Sequence, residues 1–211
     1  MTADRPLPRV FVLGDSISMH YGPHLESFLR GSWRYERKQG APASLDLGQG
    51  ANGGDSAAIL AWLRARRAAG GLAADWLLLN CGLHDIKTDP ATLRRQIVLA
   101  DYVANLRAIL AEARVLGLRV AWVRITPVVE ALHNAVPRRK DFNRYQADVD
   151  AYNAAADAVM REHAVPRLDL HAFTLPFLPS GCEDGVHFHE EVRRLQGAFL
   201  AGALHALHPA P

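Results

Sequence analysis

The sequence predicts a doubly wound α/β domain built on a parallel sheet. Short apolar runs alternate along the chain with longer stretches in which apolar residues recur at helical spacing. This alternation is typical of strand–helix–strand units, whose strands are buried on both faces and are therefore apolar throughout. The chain has 211 residues and no repeat, linker or low-complexity tract, so we expect one domain over residues 1–211.

The predicted strands are short apolar runs that end at Gly, Pro or a polar residue. The first is followed by Gly-Asp-Ser, and the second alternates only weakly, which indicates an exposed or edge strand. The strands are expected at Arg9–Leu13, Trp33–Lys38, Trp76–Asn80, Leu118–Ile125 and Arg167–Leu170.

The predicted helices carry apolar residues on one face and are bounded by proline or glycine signals. Pro23 is expected in the first turn of one helix, and Gly70-Gly71 and Gly117 end two others. The helices are expected at Pro23–Arg30, Asp55–Ala69, Asp101–Leu116, Phe142–His163 and Glu190–Leu207. Loops are expected at Gly40–Gly54, Cys81–Thr88 and Thr126–Asp141.

Composition and charge are those of an ordinary globular protein. Apolar residues make up 49% and charged residues 22%, and the net charge of +2 comes from interleaved basic and acidic residues, which argues against nucleic-acid binding. No apolar run reaches the ~18–20 residues of a membrane span, and no secretory signal precedes the first strand, so we expect no membrane span and a cytoplasmic location. Cys81 and Cys182 are expected to be free thiols.

Two motifs at opposite ends of the chain carry the candidate chemistry. Ser16 follows the first strand, and catalytic groups collect at the carboxyl edge of an open α/β sheet. Asp184 and His187 lie about one helical turn apart. A serine hydroxyl needs an adjacent base to attack an ester, and a carboxylate orients that base. The order Ser16, Asp184, His187 therefore predicts a serine hydrolase with Ser16 as nucleophile, His187 as base and Asp184 as its partner.

Simpler roles exist for the same residues. Ser16 is also a favoured helix N-cap, and His187 is compatible with a solvated turn before a helix. His189 lies two residues beyond His187 and is the alternative base.

These motifs resemble the four blocks of the SGNH, or GDSL-type, hydrolases, in the family's order. The blocks are Gly14-Asp15-Ser16, Asn52-Gly53-Gly54-Asp55-Ser56, Gly82-Leu83-His84-Asp85 and Asp184-Gly185-Val186-His187. The resemblance implies a three-layer α/β/α flavodoxin-like domain that hydrolyses carboxylic esters through an acyl-enzyme, without cofactor or metal. Because little sequence lies outside the core, we expect a small-molecule substrate with a short acyl group, acetyl first, on a carbohydrate or small alcohol.

The resemblance also implies an oxyanion hole made of the Ser16 N–H, the Gly54 N–H and a side chain in the third block. Gly54 is favoured over Gly53 because it aligns with the glycine that opens a helix in the family. His84 stands where most of the family has asparagine, and the third block resembles that of a branch of the family that reads Gly-Leu-His-Asp. A neutral imidazole still carries one N–H donor, and a protonated ring would donate more strongly at lower pH. The alternatives are that His84 points elsewhere or that Asn80 supplies the amide.

Other residues near the blocks are candidate substrate contacts. Asp15, Asn52 and Asp85 are expected to bind substrate, although Asp15 also suits a turn held by its own side chain. Trp33 is the aromatic residue most suited to face a ligand. The loop Thr126–Asp141 carries a basic run that would favour an anionic substrate or simply be solvated; the run consists of Arg138, Arg139 and Lys140.

Two other functions use the same residues. An acyltransferase would pass the acyl group from the same triad to an alcohol, and a non-catalytic binding module would account for the unusual His84. Metal catalysis is not expected, because His20 and His24 lack the glutamate of the zinc-protease motif. The sequence also lacks nucleotide-binding loops and the Gly-x-Ser-x-Gly elbow of α/β-hydrolases. It carries no signal for an oligomeric state.

Overall fold

The computed structural model describes residues 6–41, 44–135 and 141–208. Its sheet has five strands in the order β2-β1-β3-β4-β5, and every neighbouring pair is parallel. The strands are β1 (Arg9–Leu13), β2 (Arg34–Arg37), β3 (Trp76–Leu79), β4 (Arg119–Val123) and β5 (Arg167–Leu168). The five predicted strands are therefore all present, each within a few residues of its expected bounds.

Helices cover both faces of the sheet. They are α1 (Ser16–Leu29), α2 (Ser56–Ala68), α3 (Leu99–Val115), α4 (Glu130–Asn134), α5 (Gln146–Glu162), α6 (Leu170–Thr174) and α7 (Glu190–Leu207), with a 3-10 turn at Leu175–Phe177. α1 packs against α7, and α3 packs against both α2 and α5. The layers therefore form the predicted doubly wound α/β/α arrangement. None of the helices that the structure describes is both long and apolar enough to span a bilayer.

Strand β1 lies at the point where the strand order reverses. It pairs with β2 on one side and with β3 on the other, so that Val12 lies beside both Arg37 and Leu78. Val12 and Leu13 are completely buried, as expected of a strand covered on both faces. A crevice forms beyond the carboxyl ends of the strands at such a reversal, and this is where open α/β sheets bind ligands.

Helix α1 begins seven residues earlier than its proline signal predicts. The Asp15 carboxylate accepts the Ile17 N–H at 3.0 Å and caps the helix, while Pro23 lies in its interior. A cap directly after β1 therefore determines the start of the helix, and Ser16 is its first residue.

The remaining differences lie at helix ends and in loops. α5 begins at Gln146 instead of Phe142, and α4 forms within the predicted loop Thr126–Asp141. α6 and the 3-10 turn are short elements that had no periodic signal of their own. These pieces surround the carboxyl edge of the sheet, where the candidate site lies.

Candidate active site

The carboxyl edge of the sheet brings the four motif blocks together. The Gly53 N–H donates to the Gly14 carbonyl at 2.8 Å, which joins the second block to the first. The Ser56 N–H donates to the Asp85 carboxylate at 3.0 Å, which joins the second block to the third. The segment that opens α2 is therefore held between the loops that follow β1 and β3.

Ser16, His187 and Asp184 form a continuous hydrogen-bonded chain. Ser16 Oγ lies 2.8 Å from His187 Nε2, and His187 Nδ1 lies 2.8 Å from Asp184 Oδ2. Ser16 is 5% exposed and His187 is 4% exposed. The two ends of the chain, 171 residues apart in sequence, thus place an imidazole within hydrogen-bonding distance of the serine hydroxyl.

Asp184 determines which nitrogen of His187 faces the serine. Its Oδ1 accepts the N–H groups of Val186 and His187, at 3.1 and 2.9 Å. Burial alone would raise the pKa of Asp184, but its hydrogen bonds with His187 and the charge of that ring outweigh burial and hold the pKa well below its usual range. An ionised carboxylate only accepts, so His187 Nδ1 carries a proton and Nε2 is left to accept from Ser16.

The glycine between Asp184 and His187 has a specific packing reason. Gly185 has a φ of +95°, and a Cβ at this position would lie 2.4 Å from the backbone nitrogen of His133. The Gly185 carbonyl accepts the Val129 N–H at 2.8 Å. The loop that carries the histidine therefore packs closely against the start of α4.

The predicted oxyanion donors differ in how they are engaged. The Ser16 N–H lies in the first turn of α1, where backbone N–H groups have no partner within the helix. The Gly54 N–H donates to Asn52 Oδ1 at 2.9 Å. Asn80 Nδ2 donates to the Val123 carbonyl at 2.9 Å, which ties β3 to β4. The Asn80 amide is thus engaged in a bond between neighbouring strands. The Gly54 N–H can contribute to an oxyanion hole only if it is shared between the oxyanion and Asn52 Oδ1.

His84 is buried with an unsatisfied ring nitrogen. It is 2% exposed, and its Nε2 bonds to no group in the part of the chain that the structure describes. Burial, followed by the charges of Lys87 and Arg144, lowers the pKa of His84 well below its usual range. The ring is therefore neutral at ordinary pH, and the protonated form considered from the sequence is disfavoured.

The three predicted substrate contacts are completely covered. Asp15 caps α1, and burial raises its pKa to about 6. Asn52 Nδ2 donates to the Leu45 carbonyl at 2.8 Å, in addition to the Oδ1 bond to Gly54. Asp85 accepts the Ser56 backbone and hydroxyl groups, and burial raises its pKa to about 7. This geometry favours a structural role for Asp15, Asn52 and Asp85 over the predicted contact with substrate.

Trp33 does not face the site. It is buried at the start of β2, with its ring centroid 5.4 Å from that of His208 beyond α7, at the opposite edge of the sheet. The expectation that it faces a ligand is wrong, because this end of α7 covers it. Arg138, Arg139 and Lys140 lie outside the described residues.

The other candidate histidines and the cysteines have separate environments. His189 is exposed at the start of α7, with Nδ1 3.7 Å from Glu183 Oε1, and His24 Nε2 lies 3.0 Å from Glu190 Oε1. Among the described residues, no group of three or more His, Cys, Asp or Glu side chains is placed to hold a metal ion. Cys81 and Cys182 are buried free thiols, as predicted.

Two residues beside the site were missed by the motif analysis. The His20 ring lies edge-on to that of His187, with centroids 5.0 Å apart, and burial, followed by the charge of His187, lowers the pKa of His20 to about 4. The sequence signal for His20 was its position four residues after Ser16, which places the two residues on the same face of one helix. Arg144 is 2% exposed and donates from Nε to the Leu83 carbonyl at 2.6 Å, a contact that no local pattern announces.

A flavodoxin-like α/β domain with these four blocks at one sheet edge defines the class of SGNH hydrolases. The chain belongs to the GDSL-like lipase/acylhydrolase family, whose sequence profile matches residues 12–195. No curated protein matches the chain.

Several solved structures of similar fold are named as lipases, acylhydrolases or esterases. A lipase/acylhydrolase from Enterococcus faecalis has a TM-score of 0.73 at 16% identity, covering 97% of this chain and 100% of its own. A GDSL-like lipase from Bacteroides thetaiotaomicron has a TM-score of 0.68 at 16% identity, and the match covers 94% of this chain and 88% of that one. The acetyl xylan esterase AlAXEase has a TM-score of 0.68 at 12% identity, and the match covers 93% of this chain and 99% of that one. At these identities the likeness establishes the shared fold.

Proposed function

We propose that the chain hydrolyses short-chain carboxylic esters through an acyl-enzyme on Ser16. The observation that carries the proposal is the chain of two 2.8 Å contacts from Ser16 Oγ through His187 to Asp184. Membership of a lipase and acylhydrolase family favours the same chemistry.

In the first step, Ser16 Oγ attacks the ester carbonyl while His187 Nε2 accepts the hydroxyl proton. The new C–O bond converts the carbonyl into a tetrahedral oxyanion, and Asp184 stabilises the imidazolium that forms beside it. His187 then gives the proton to the leaving alcohol as the ester C–O bond breaks. The acyl group remains on Ser16.

The oxyanion is stabilised by donors that point to where its charge develops. We assign this role to the Ser16 N–H and the His84 ring, with the Gly54 N–H as a donor shared with Asn52. The unsatisfied Nε2 of His84 supports the assignment, because a buried polar atom without a partner is costly unless a ligand satisfies it. Burial keeps the ring neutral, so it supplies one N–H rather than a charge.

In the second step, water replaces the alcohol. His187 removes a proton from the water as the water oxygen attacks the acyl carbonyl. His187 then returns the proton to Ser16 Oγ as the bond between the acyl group and Ser16 breaks. The reacting groups are nearly covered, with His84 at 2% and Ser16 at 5% exposure, which favours a short acyl group. The neighbour named as an acetyl xylan esterase is compatible with acetyl esters of carbohydrates.

A panel of p-nitrophenyl esters of increasing acyl length tests the proposal. We expect turnover to be highest with acetate and to disappear in Ser16→Ala. Ser27→Ala, an exposed serine on the same helix, is the matched control and should leave turnover unchanged. A fluorophosphonate probe should label the wild type and the Ser27 variant but not Ser16→Ala. Wild-type turnover by Ser16→Ala, or the absence of labelling, would refute the hydrolase assignment; labelling with turnover only in the presence of an acceptor alcohol would indicate a transferase.

A further inference from the structure

Arg144 is a buried guanidinium that contacts two loops and the short helix α4 beside the candidate site. It lies just before α5 and is 2% exposed, although arginine is rarely buried unless its charge and donors are satisfied. Its guanidinium carbon lies 4.8 Å from the centre of the Phe142 ring. Its polar contacts connect segments that are far apart in sequence.

The first contact reaches the third motif block. Arg144 Nε donates to the Leu83 carbonyl at 2.6 Å, across 61 residues of sequence. The Leu83 carbonyl belongs to the peptide that leads into His84. The bond therefore fixes the orientation of that peptide and, with it, the direction from which the His84 side chain enters the site.

The second contact reaches α4, which packs against the loop that carries His187. Arg144 Nη1 lies 3.3 Å from His133 Nε2, and since a guanidinium only donates, His133 accepts at this atom. The backbone of His133 is the group against which Gly185 packs. This contact therefore anchors the guanidinium on α4, at the point where α4 packs against Gly185.

A third contact reaches the loop that precedes α2. Arg144 Nη2 lies 3.7 Å from Asp46 Oδ1, in the segment whose Leu45 carbonyl accepts from Asn52. The contacts with His133 and Asp46 hold the guanidinium in place, and the bond to the Leu83 carbonyl transmits that position to His84. A planar, always-charged fork suits this arrangement better than lysine, whose ammonium is a single point.

We propose that Arg144 is a positioning residue that holds His84 in place as an oxyanion donor. The proposal rests on the hydrolase function proposed above. Because Arg144 acts through His84, its loss matters for turnover only while His84 is present. A residue that merely stabilises the fold would affect turnover equally in both backgrounds.

A double-mutant cycle separates these cases. The proteins are the wild type, Arg144→Met, His84→Ala and the double variant, each assayed for kcat and KM with p-nitrophenyl acetate. We expect Arg144→Met to lower kcat about ten- to hundredfold, with KM changed less than about threefold, since a displaced oxyanion donor affects mainly the transition state. In the His84→Ala background the same substitution should lower kcat less than about threefold.

Arg124→Met is the matched control. Arg124 is partly buried, with 22% of its side chain exposed, and is paired with two carboxylates, those of Asp157 and Asp169. It lies near the same edge of the sheet, but among the described residues it has no contact with the motif blocks. We expect this variant to lower the melting temperature and to leave kcat within about twofold of the wild type.

Equal effects of Arg144→Met with and without His84, or no effect on kcat, would overturn the proposal. If Arg144→Met does not fold, the cycle is run with Arg144→Lys, which keeps the charge but not the fork. If neither variant folds, Arg144 is a stability residue and the proposal fails. Wild-type turnover by Ser16→Ala, run beside the cycle, would instead refute the hydrolase function itself.

Discussion

Replacing Asp184 by asparagine removes one charge and leaves the shape of the side chain unchanged. The asparagine oxygen still accepts the backbone N–H groups of Val186 and His187 that Asp184 Oδ1 now accepts. Its NH₂ group then occupies the place of Oδ2, 2.8 Å from His187 Nδ1, and donates where the carboxylate accepted. Nδ1 must become the acceptor, so the ring proton moves to Nε2, the atom that faces Ser16 Oγ.

With Nε2 protonated, His187 no longer removes the proton of the serine. In serine proteases the same exchange costs about four orders of magnitude in kcat. Since each factor of ten corresponds to about 1.4 kcal/mol, Asp184→Asn is expected to lose about 5.5 kcal/mol of transition-state stabilisation. KM should change little, because Asp184 lies behind His187 and contacts the ring rather than the ester.

Initial rates with p-nitrophenyl acetate measure this loss, and far-UV circular dichroism confirms that the variant is folded. Asp169→Asn is the matched control, because the Asp169 carboxylate likewise accepts from a nearby backbone N–H, that of Ala172, and from a side-chain donor, Arg124. It should keep kcat within about twofold of the wild type. If Asp184→Asn retains more than about a tenth of wild-type kcat, the tautomer argument is refuted.

Three further predictions concern residues around the triad. In urea titrations, Gly185→Ala should lower the free energy of unfolding by about 1–3 kcal/mol more than Gly31→Ala does. Both glycines have a positive φ, but only a Cβ on Gly185 would meet backbone atoms. Equal losses of stability in the two variants would contradict this. Burial raises the pKa of Asp15 to about 6, so folding favours the protonated acid. The stability of the wild type relative to Asp15→Asn should therefore be greatest below pH ~4 and fall as the pH rises towards 6. A stability difference that does not depend on pH would show that Asp15 is not desolvated. His20→Ala should lower kcat about two- to tenfold by removing the edge-on contact with His187, whereas His20→Phe, which keeps an uncharged ring there, should stay within about twofold; identical rates for the two variants would argue against that contact.

Most of the sheet, and the approach of Ser16, His187 and Asp184 to one another, could be predicted because the strand, helix and motif signals are local. β1 is a buried apolar run, and α7 begins and ends at the residues that its apolar periodicity indicates. α1 shows the limit of such signals. Pro23 suggested a helix start, but the Asp15 cap immediately after β1 begins the helix earlier and the interior proline is tolerated.

The surroundings of the triad were harder to predict because they depend on tertiary contacts. Nothing in the residues near Arg144 indicates that it is buried against Leu83, 61 residues away, and composition alone suggests a solvated charge. The bond from Gly54 N–H to Asn52 Oδ1 is different. It spans two residues and follows the ordinary turn chemistry of asparagine, so a local sequence signal does exist for the engagement of the Gly54 N–H.

Trapping the covalent intermediate would show directly whether Ser16 carries the acyl group. The protein is mixed with p-nitrophenyl acetate, quenched in acid within the first turnover and digested, and the peptides are analysed by mass spectrometry. We expect one acetyl group on the peptide that contains Ser16, in an amount matching the burst of nitrophenol. Acetyl on a different residue, together with undiminished turnover by Ser16→Ala, would contradict it.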